Sequence, residues 1–579
     1  MKQLVVLACS LFLWPGSLYL QTVKVNQLGY LPQLKKYAWA NNLKGESVKW
    51  RVKRADDGQV VYEGASRTAT RTDSSCGEKV TRLDFSALDK EGQYFVEVDG
   101  AGVSPVFPVS EKAYEEAWKA SVKSYYYQRS GMALTPEYAG IWSRKATHTN
   151  DAILYKGFSG GKIIDGEYRN CRGGWYDAGD FGKKIVPASI ALYAFLKLAA
   201  LHPEQIKQAS IAIPNPWKGV PDMLAEAKWE LDWFFTMQDE NGAVHHLIVS
   251  PDFFIGPAQN DPYPRYILGI SSTATADYAA TMALASTVFS TWLPSYADSC
   301  LRAAEKAWTY LAQNPDIFPA GGYHDPEGIH ATGAYDDPRD RDERLWASAE
   351  LFNATGKKEY LSYFEVNQTR FRLDNYSWWQ DPHNYAFYSY LLSKRPGRNP
   401  ACIQKISARV KQFAENLKAR VDTAAYGVAL LPEDYVWGSN SYALNYGMDL
   451  LLMDEIFRTR EFEEAALEQL HYILGCNTLG YCYLNNFGSH PVKDPHQSIN
   501  SYDTLSLAPP GFIPGGPNRF PQDPILAHLI ATRHPAPAAC YIDQHWAYAC
   551  NEVCTTFTSG FVFLAGYFCN FNSLPDKGL

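Results

Sequence analysis

The chain has 579 residues, 46% of them hydrophobic and 20% charged, so its composition is that of a globular protein and its length exceeds one simple domain. The net charge of −8, without a long run of Lys or Arg, excludes the basic surface of a nucleic-acid-binding protein and argues against a strongly acidic polymer as the main ligand. Aromatic residues reach 14%, which fits either a large core or a cleft of stacking rings, and composition alone favours the core.

The first residues are predicted to form a signal peptide, residues 1–21. Lys2 gives a short positive start, residues 4–14 form an apolar run too short to span a bilayer, and Pro15 ends it. The segment up to Cys9 also resembles a lipoprotein box, so a lipid anchor at the cell envelope is the alternative. No later segment has about twenty unbroken apolar residues. We therefore expect a secreted or periplasmic protein without a transmembrane segment.

Residues 22–108 carry the two-residue period of β-strands. Apolar and charged side chains alternate over residues 48–52, apolar residues alternate again over 94–98, and Asp57 and Gly58 form a turn signal between them. Short strands with turns at this spacing predict a β-sandwich.

Residues 109–575 change to helical spacing. Apolar residues recur with helical period over residues 185–200, 223–237, 276–289 and 345–352, and long loops rich in Gly and Pro separate such segments. Many helices joined by long loops predict an all-α toroid whose loops build a cleft at one end. No short sequence repeat is present, which argues against a solenoid.

The cysteines after Cys9 are scattered and form no CxxC pair, which argues against a zinc ribbon. A chain of this size needs no disulfides to hold its core, so we expect mostly buried thiols.

The first chemical motif is the run from Gly173 to Asp180. Asp177 and Asp180 flank a small Ala-Gly pair that permits a tight turn, so both carboxylates can converge on one water molecule. The alternative is a plain Asx turn in which Asp180 caps the helix that follows. The local sequence alone does not distinguish a pair of converging carboxylates from a plain Asx turn.

The second motif is Asn551-Glu552-Val553, which precedes an apolar helical pattern over residues 561–568. Taken alone, Glu552 is best explained as a carboxylate placed near the positive end of that helix.

Taken together, these motifs resemble glycoside hydrolase family 9, in the subgroup with an N-terminal immunoglobulin-like domain. The resemblance covers nearly the whole mature chain, and the order of its motifs is highly specific. The matching strings are VNQLGY at 25–30, GWYDAGD at 174–180, ATADYAA at 274–280, DERLWA at 342–347, AEL at 349–351, WGSN at 437–440, YILG at 472–475 and GGPN at 515–518.

The resemblance implies a multidomain fold: an immunoglobulin-like β-sandwich over residues 22–108, followed by an (α/α)6-barrel catalytic domain over residues 109–575. We expect the small domain to brace the barrel rather than to bind glycan. The implied reaction is inverting hydrolysis of a β-linked glucan-type polysaccharide or oligosaccharide. In that reaction Asp180 is the general base, Asp177 helps to hold the water and Glu552 is the general acid, which must be protonated at working pH.

One departure from the family concerns residues 495–498. The family usually has Pro-His-His-Arg in this loop, whereas this chain has Pro495-His496-Gln497-Ser498, so the first His is kept and the Arg is absent. Losing a multi-donor guanidinium removes hydrogen bonds to sugar. We therefore expect a specificity shifted from that of a standard cellulose endoglucanase, or exo action, and residues 241–270 are candidates for a loop that blocks one end of the cleft.

Candidate substrate-binding residues are His496 and several aromatic residues, although for any single aromatic residue core packing is the alternative, and His496 has the alternative of a plain loop residue. Phe557 lies five residues after Glu552, where the family usually has an aromatic residue. The other candidates are Trp378, Trp379, Trp437, Tyr481 and Trp546.

We expect no required cofactor. Relatives often hold a structural zinc near the base motif, but only His148 and Cys171 of the expected ligands are present, so we predict no zinc. Structural calcium stays an alternative without an identified loop. The chain is expected to be a monomer.

Two other functions stay open at this point. One is an exo-acting β-glucosidase or glucosaminidase of the same family, and the other is a non-catalytic glycan-binding protein that keeps the fold. Retention of Asp177, Asp180 and Glu552 argues against the second.

Overall fold

The computed structural model describes residues 22–330, 333–501 and 507–569. The predicted signal peptide and Cys9 lie outside these ranges. Within them, no helix combines the length and apolar character needed to cross a membrane.

The N-terminal domain is a β-sandwich whose strands alternate between a buried and a solvent face. Val48, Trp50 and Val52 are 6%, 3% and 0% exposed, which confirms the predicted alternation. One sheet is formed by Val23–Lys24, Tyr37–Asn41 and Val80–Asp84. The other is formed by Val60–Arg67, Ser47–Arg54, Gly92–Val98, Gly102–Val103 and Phe107–Val109, the last paired with Gly92–Val98. All pairings within the two sheets are antiparallel.

The second domain is a double ring of helices. Within the described residues, six inner helices contact one another in a closed ring, in which the last inner helix packs against the first. They are Ile185–Leu201, Ser272–Phe289, Arg341–Thr355, His383–Leu392, Ser439–Phe457 and Thr555–Phe568. The outer helices are Glu115–Tyr127, Asp222–Met237, Pro294–Gln313, Lys358–Asn367, Pro400–Thr423 and Glu463–Ile473. This is the expected (α/α)6 barrel.

The sequence explains which helices lie inside. Ile185–Leu201 is buried on nearly every side, as its uniformly apolar sequence requires. Pro294–Gln313 buries a single stripe that includes Ala297, Cys300 and Ala304, and it exposes its other face to solvent. The predicted helices are therefore confirmed in kind and approximate position. Shorter helices are Pro136–Ala139, Pro203–Gln208, Ser498–Ser501, Pro524–Arg533 and Tyr548–Asn551.

A small sheet inside the helical domain was not predicted, and three of its five strands have only two or three residues, which is too short to show a period. Its strands, in spatial order, are Lys162–Tyr168, Ile153–Ser159, Tyr266–Ile267, Leu247–Val249 and Lys183–Lys184. The last of these strands leads directly from the base motif into the first inner helix.

The ten cysteines that the structure describes are all free and buried, which confirms their prediction as thiols.

The two domains are joined by buried polar contacts. The Gln27 side chain, 6% exposed, accepts hydrogen bonds from the backbone amides of Ser489 (2.9 Å) and His490 (2.7 Å) and donates one to the Gly480 carbonyl (2.7 Å). Lys24 Nζ donates to the Thr478 carbonyl at 3.0 Å. The sandwich therefore braces the barrel loops that follow the outer helix Glu463–Ile473.

We expect Gln27→Ala to lower the free energy of unfolding by about 1–3 kcal/mol, because the change leaves buried backbone amides without an acceptor. Urea unfolding measures this change. The exposed side chain of Gln59, in the same domain, provides the control, since Gln59→Ala should alter stability little. Equal stabilities for the two variants would contradict a bracing role for Gln27.

Candidate active site

A large cavity of about 970 Å³ opens at one end of the barrel. Each of the six inner helices is preceded by a loop that contributes to its lining, so the N-terminal ends of these helices point toward the cavity. Representative lining residues are Asp180, Phe254, Tyr335, Trp378, Trp437 and Glu552, one from each loop.

Asp180 lies on the cavity wall, with 13% of its side chain exposed. Its Oδ1 accepts a hydrogen bond from the Gly182 amide at 2.7 Å, which forms the Asx turn considered from sequence. The other part of that alternative is wrong: the helix begins at Ile185 with Lys184 as its N-cap, so Asp180 does not cap it.

Asp177 lies behind Asp180 and is only 3% exposed. Its Oδ1 accepts a hydrogen bond from Thr555 Oγ1 at 3.1 Å, and its backbone carbonyl accepts one from the Thr555 amide at 2.8 Å. These contacts tie the base motif to the N-terminus of the helix that follows Glu552. Burial raises the pKa of Asp177, and Lys184 opposes that rise.

Lys184 is a buried cation, 3% exposed, that lies between the two aspartates. Its Nζ is 3.3 Å from Asp177 Oδ2 and 3.9 Å from Asp180 Oδ2. Burial alone lowers the pKa of Lys184, but the two carboxylates outweigh it and raise the pKa above its ordinary value. The ammonium group is therefore charged at neutral pH.

Glu552 lines the same cavity as Asp180. Burial, followed by the charge of Asp180, raises the pKa of Glu552 from 4.5 to about 8, and Lys184 limits the rise. The carboxyl group is therefore protonated at neutral pH. A proton donor, Glu552, and a second carboxyl group, Asp180, thus line one cavity.

The segment 496–498 connects the loops that carry these two groups. His496 pairs with Glu552 through a β-bridge, and the Ser498 amide donates to the Gly179 carbonyl at 2.7 Å. The side chain of Gln497 donates to Gln128, which in turn donates to the Ala178 carbonyl. Burial lowers the pKa of His496 to about 4, so its ring is neutral.

Gly179 allows this close approach. A Cβ atom at this position would lie 2.6 Å from the His496 carbonyl oxygen and 3.2 Å from Glu552 Oε1. The small residue before Asp180 is therefore required where the base loop meets the loop of residue 496 and the acid.

Aromatic side chains form much of the remaining wall. The predicted Trp378, Trp379, Trp437, Trp546 and Phe557 all line the cavity, and His496 does as well. Tyr481 does not: its ring stacks on His490 with a centroid distance of 4.1 Å, and it packs against Tyr541. The structure therefore corrects the prediction for Tyr481, which is drawn into an aromatic cluster beside the cavity.

Sequence analysis missed several wall residues. Lys184 had one available signal, a lysine four residues after an aspartate. Tyr335 had none, because only the tertiary structure brings it to the cavity, whereas Phe254 and Ile255 lie within residues 241–270, the predicted loop at one end of the cleft.

The residues considered for zinc have other partners. His148 Nε2 lies 3.1 Å from Asp261 Oδ2, and Cys171 Sγ donates to the Thr236 carbonyl at 3.6 Å. Over the described ranges, no three His, Cys, Asp or Glu side chains are grouped so that they could hold a metal ion.

A buried acidic cluster lies at the inner helices Ser272–Phe289 and Arg341–Thr355. Its members, at most 2% exposed, are Asp277, Asp337, Asp342 and Glu343. Both oxygens of Asp277 and of Glu343 lack a hydrogen-bond partner among the described residues. Burial, then the neighbouring like charges, raises the pKa of Asp277 and Glu343, and burial with like charges raises that of Asp342 to about 7.

Comparison with known proteins gives two family matches. The model of glycosyl hydrolase family 9 matches residues 114–565, and that of the cellulase N-terminal ig-like domain matches residues 19–103.

Curated relatives match over most of their length. Endoglucanase D of Acetivibrio thermocellus is 30% identical over 96% of this chain and 82% of its own, and a cellodextrinase of Butyrivibrio fibrisolvens is 32% identical over 94% and 99%. A xyloglucan-specific endo-β-1,4-glucanase of Bacteroides ovatus is 30% identical over 94% and 93%. Among solved structures, a thermostable endoglucanase variant from Alicyclobacillus acidocaldarius superposes with a TM-score of 0.85, at 30% identity over 95% of this chain and 100% of its own.

The raised pKa of Glu552 has a consequence for stability. Between pH 4.5 and about 8 the folded protein holds this proton and the unfolded chain has lost it, so folding becomes less favourable as pH rises through this window. Glu552→Gln removes this loss of stability, because the Gln side chain does not titrate. We therefore expect the free energy of unfolding of the variant, relative to that of the parent, to increase by on the order of 3 kcal/mol between pH 5 and pH 8.

Urea unfolding at the two pH values measures this difference. The exposed Glu167 supplies the control, because Glu167→Gln should leave the parent's pH dependence unchanged. A Glu552→Gln variant whose stability tracks the parent across this range would show that Glu552 is ionised in the folded protein.

Proposed function

This chain belongs to glycosyl hydrolase family 9, and from that premise we propose that it hydrolyses β-1,4-linked glucans with inversion at the anomeric carbon, in the manner of an endoglucanase. It is an O-glycosyl hydrolase. The observation that carries the assignment of roles is that Asp180 lines the same cavity as Glu552, a carboxyl group whose pKa is raised to about 8 by burial and by the charge of Asp180.

In the proposed reaction Asp180 is the general base. Its Oδ1 accepts a hydrogen bond from the Gly182 amide, and its Oδ2 lies 3.9 Å from the Lys184 ammonium group, so the carboxyl group is fixed at the cavity wall for proton removal from a water molecule. Asp177 is held rigidly behind it and fixes the position of Lys184 and of the turn.

Glu552 is the proposed general acid. It donates its proton to the glycosidic oxygen as the bond to the anomeric carbon breaks, while the water oxygen attacks from the opposite face. The attacking water gives its proton to Asp180, so one water molecule is added across the bond. A β-linkage yields a product with the α-configuration at the new reducing end.

The cavity suits an oligosaccharide segment rather than one sugar. At about 970 Å³ it lies at the upper end of the range of small-molecule sites. Its aromatic wall offers flat apolar surfaces to the faces of pyranose rings. The related proteins named above as endoglucanase, cellodextrinase and xyloglucan-specific glucanase support a β-glucan substrate for this chain.

Exo action is a second candidate, favoured by one segment. Residues 250–265 fall within the stretch predicted to block an end of the cleft, and Phe253, Phe254 and Ile255 from this segment reach the cavity wall. Phe253 and Ile255 are 59% and 65% exposed, so these apolar side chains are placed to contact a bound chain. Product analysis distinguishes the two modes of action.

We further propose that the protein is secreted and acts as a monomer. The predicted signal peptide and the extracellular position of glucan polymers support secretion, with a lipid anchor as the alternative.

Structural calcium is also proposed as an alternative, and no ligand set is assigned to it, since over the described ranges no three His, Cys, Asp or Glu side chains are grouped so that they could hold a metal ion.

The enzyme assay is a panel of β-1,4-glucan, xyloglucan, mixed-linkage glucan and chitosan oligosaccharides. We expect β-1,4-glucan cleavage with α-anomeric product seen first by proton NMR. A ladder of products indicates endo action, whereas a single mono- or disaccharide from the start indicates exo action.

Asp180→Asn and Glu552→Gln should each lower kcat by at least about 100-fold with the fold retained, because each removes one partner of acid–base catalysis. Asp252→Asn, at an exposed carboxylate of the neighbouring loop, is the matched control. Full activity in either active-site variant would exclude the roles. Glycan binding without product release across the panel would instead favour the non-catalytic alternative.

A further inference from the structure

Lys184 contacts the two aspartates from a position that general stability does not explain. A buried ammonium group loses its hydration, and an ion pair seldom repays that loss unless the geometry is good. The neighbouring Lys183, also buried, is paired at 2.6 Å with Asp151 and donates to two backbone carbonyls. Lys184 instead points to the cavity side, where it lines the wall beside Asp180.

The surroundings of Lys184 are dominated by negative charge from the active site. The Nζ atom of Lys184 lies 4.8 Å from the centroid of the Tyr335 ring. The hydroxyl group of Tyr335 in turn contacts Cys554 Sγ at 3.7 Å. The titratable groups that face Lys184 from the surrounding elements are Asp177, Asp180, Glu552, Cys554, Tyr335, His246 and Asp325.

We propose that Lys184 is a positioning residue of the catalytic base, which holds Asp177 and Asp180 at a fixed separation so that Asp180 faces the attacking water. This inference rests on the proposed hydrolase function. Lys184 Nζ pairs with the buried Asp177 at 3.3 Å and lies 3.9 Å from Asp180 on the cavity wall. It therefore links the buried aspartate to the proposed catalytic base.

The charge of Lys184 affects the proton affinity of a carboxyl group in the base motif and that of the proposed general acid. It lowers the pKa of Asp177, and it also limits the raised pKa of Glu552. Loss of the cation would therefore raise the proton affinity of Asp177 and that of Glu552.

The test is the pH profile of kcat/KM on a β-1,4-glucan oligosaccharide, measured for the parent and for Lys184→Met. The acidic limb reports ionisation of the base, and the alkaline limb reports loss of the proton from Glu552. We expect the acidic limb to move about 1–3 pH units toward higher pH and the alkaline limb to move in the same direction.

Two more variants separate charge from packing. Lys184→Gln, a second neutral side chain, should show the same shift, whereas Lys184→Arg, which keeps the charge, should retain the parent limbs even if kcat falls. Lys183→Met is the matched control: it removes a buried lysine of the same strand, so it should lower Tm and leave both limbs in place.

Parent activity with unmoved limbs in a folded neutral variant would overturn the inference and leave the hydrolase assignment standing. Loss of folding in both neutral variants with a folded Lys184→Arg would also overturn it, because the cation would then serve folding. Lack of activity in the parent on every β-glucan would instead reject the proposed function.

Discussion

The structure depends on the contact that closes the inner ring. Ile185–Leu201 packs against Thr555–Phe568, although about 350 residues of chain separate them, and both helices are buried almost completely. Each begins a few residues after one of the two carboxyl groups, so closing the ring brings Asp180 and Glu552 to the same opening. Because the N-terminal ends of all six inner helices point the same way, their partial positive charge also lies beneath the wall, where carboxylates gain stability.

The two carboxyl groups in this cavity have different surroundings. Lys184 Nζ lies 3.9 Å from Asp180 Oδ2, whereas burial is the largest influence on Glu552 and raises its pKa. The neutral His496 contributes no competing charge between them. The same principle explains why Asp177 is buried: a second carboxylate behind the wall anchors the cation without competing for the substrate.

The sequence could predict those features that show a regular spacing of apolar residues or a fixed order of motifs. Alternation gave the strand around Trp50, uniform apolarity gave the helix that begins at Ile185, and the order of motifs gave the family and both carboxylates. It could not give contacts between distant segments without a pattern of their own. Tyr335 reaches the aspartates through tertiary folding, and Tyr481 was misplaced because an aromatic residue near a motif has the same sequence appearance whether it faces the cavity or a neighbouring ring.

The altered loop at residues 495–498 shows how specificity depends on this architecture. Gln497, which follows the retained His496, is 1% exposed and turned toward Gln128, and the Ser498 amide is bonded to Gly179. These contacts of Gln497 and Ser498 hold the base loop beside the acid. The segment has no guanidinium group that could donate paired hydrogen bonds to a sugar. Recognition then falls mainly to the aromatic wall, which contacts the faces of sugar rings and discriminates weakly between hydroxyl patterns. Such a site should select for the length and flatness of a β-linked chain more than for its individual substituents.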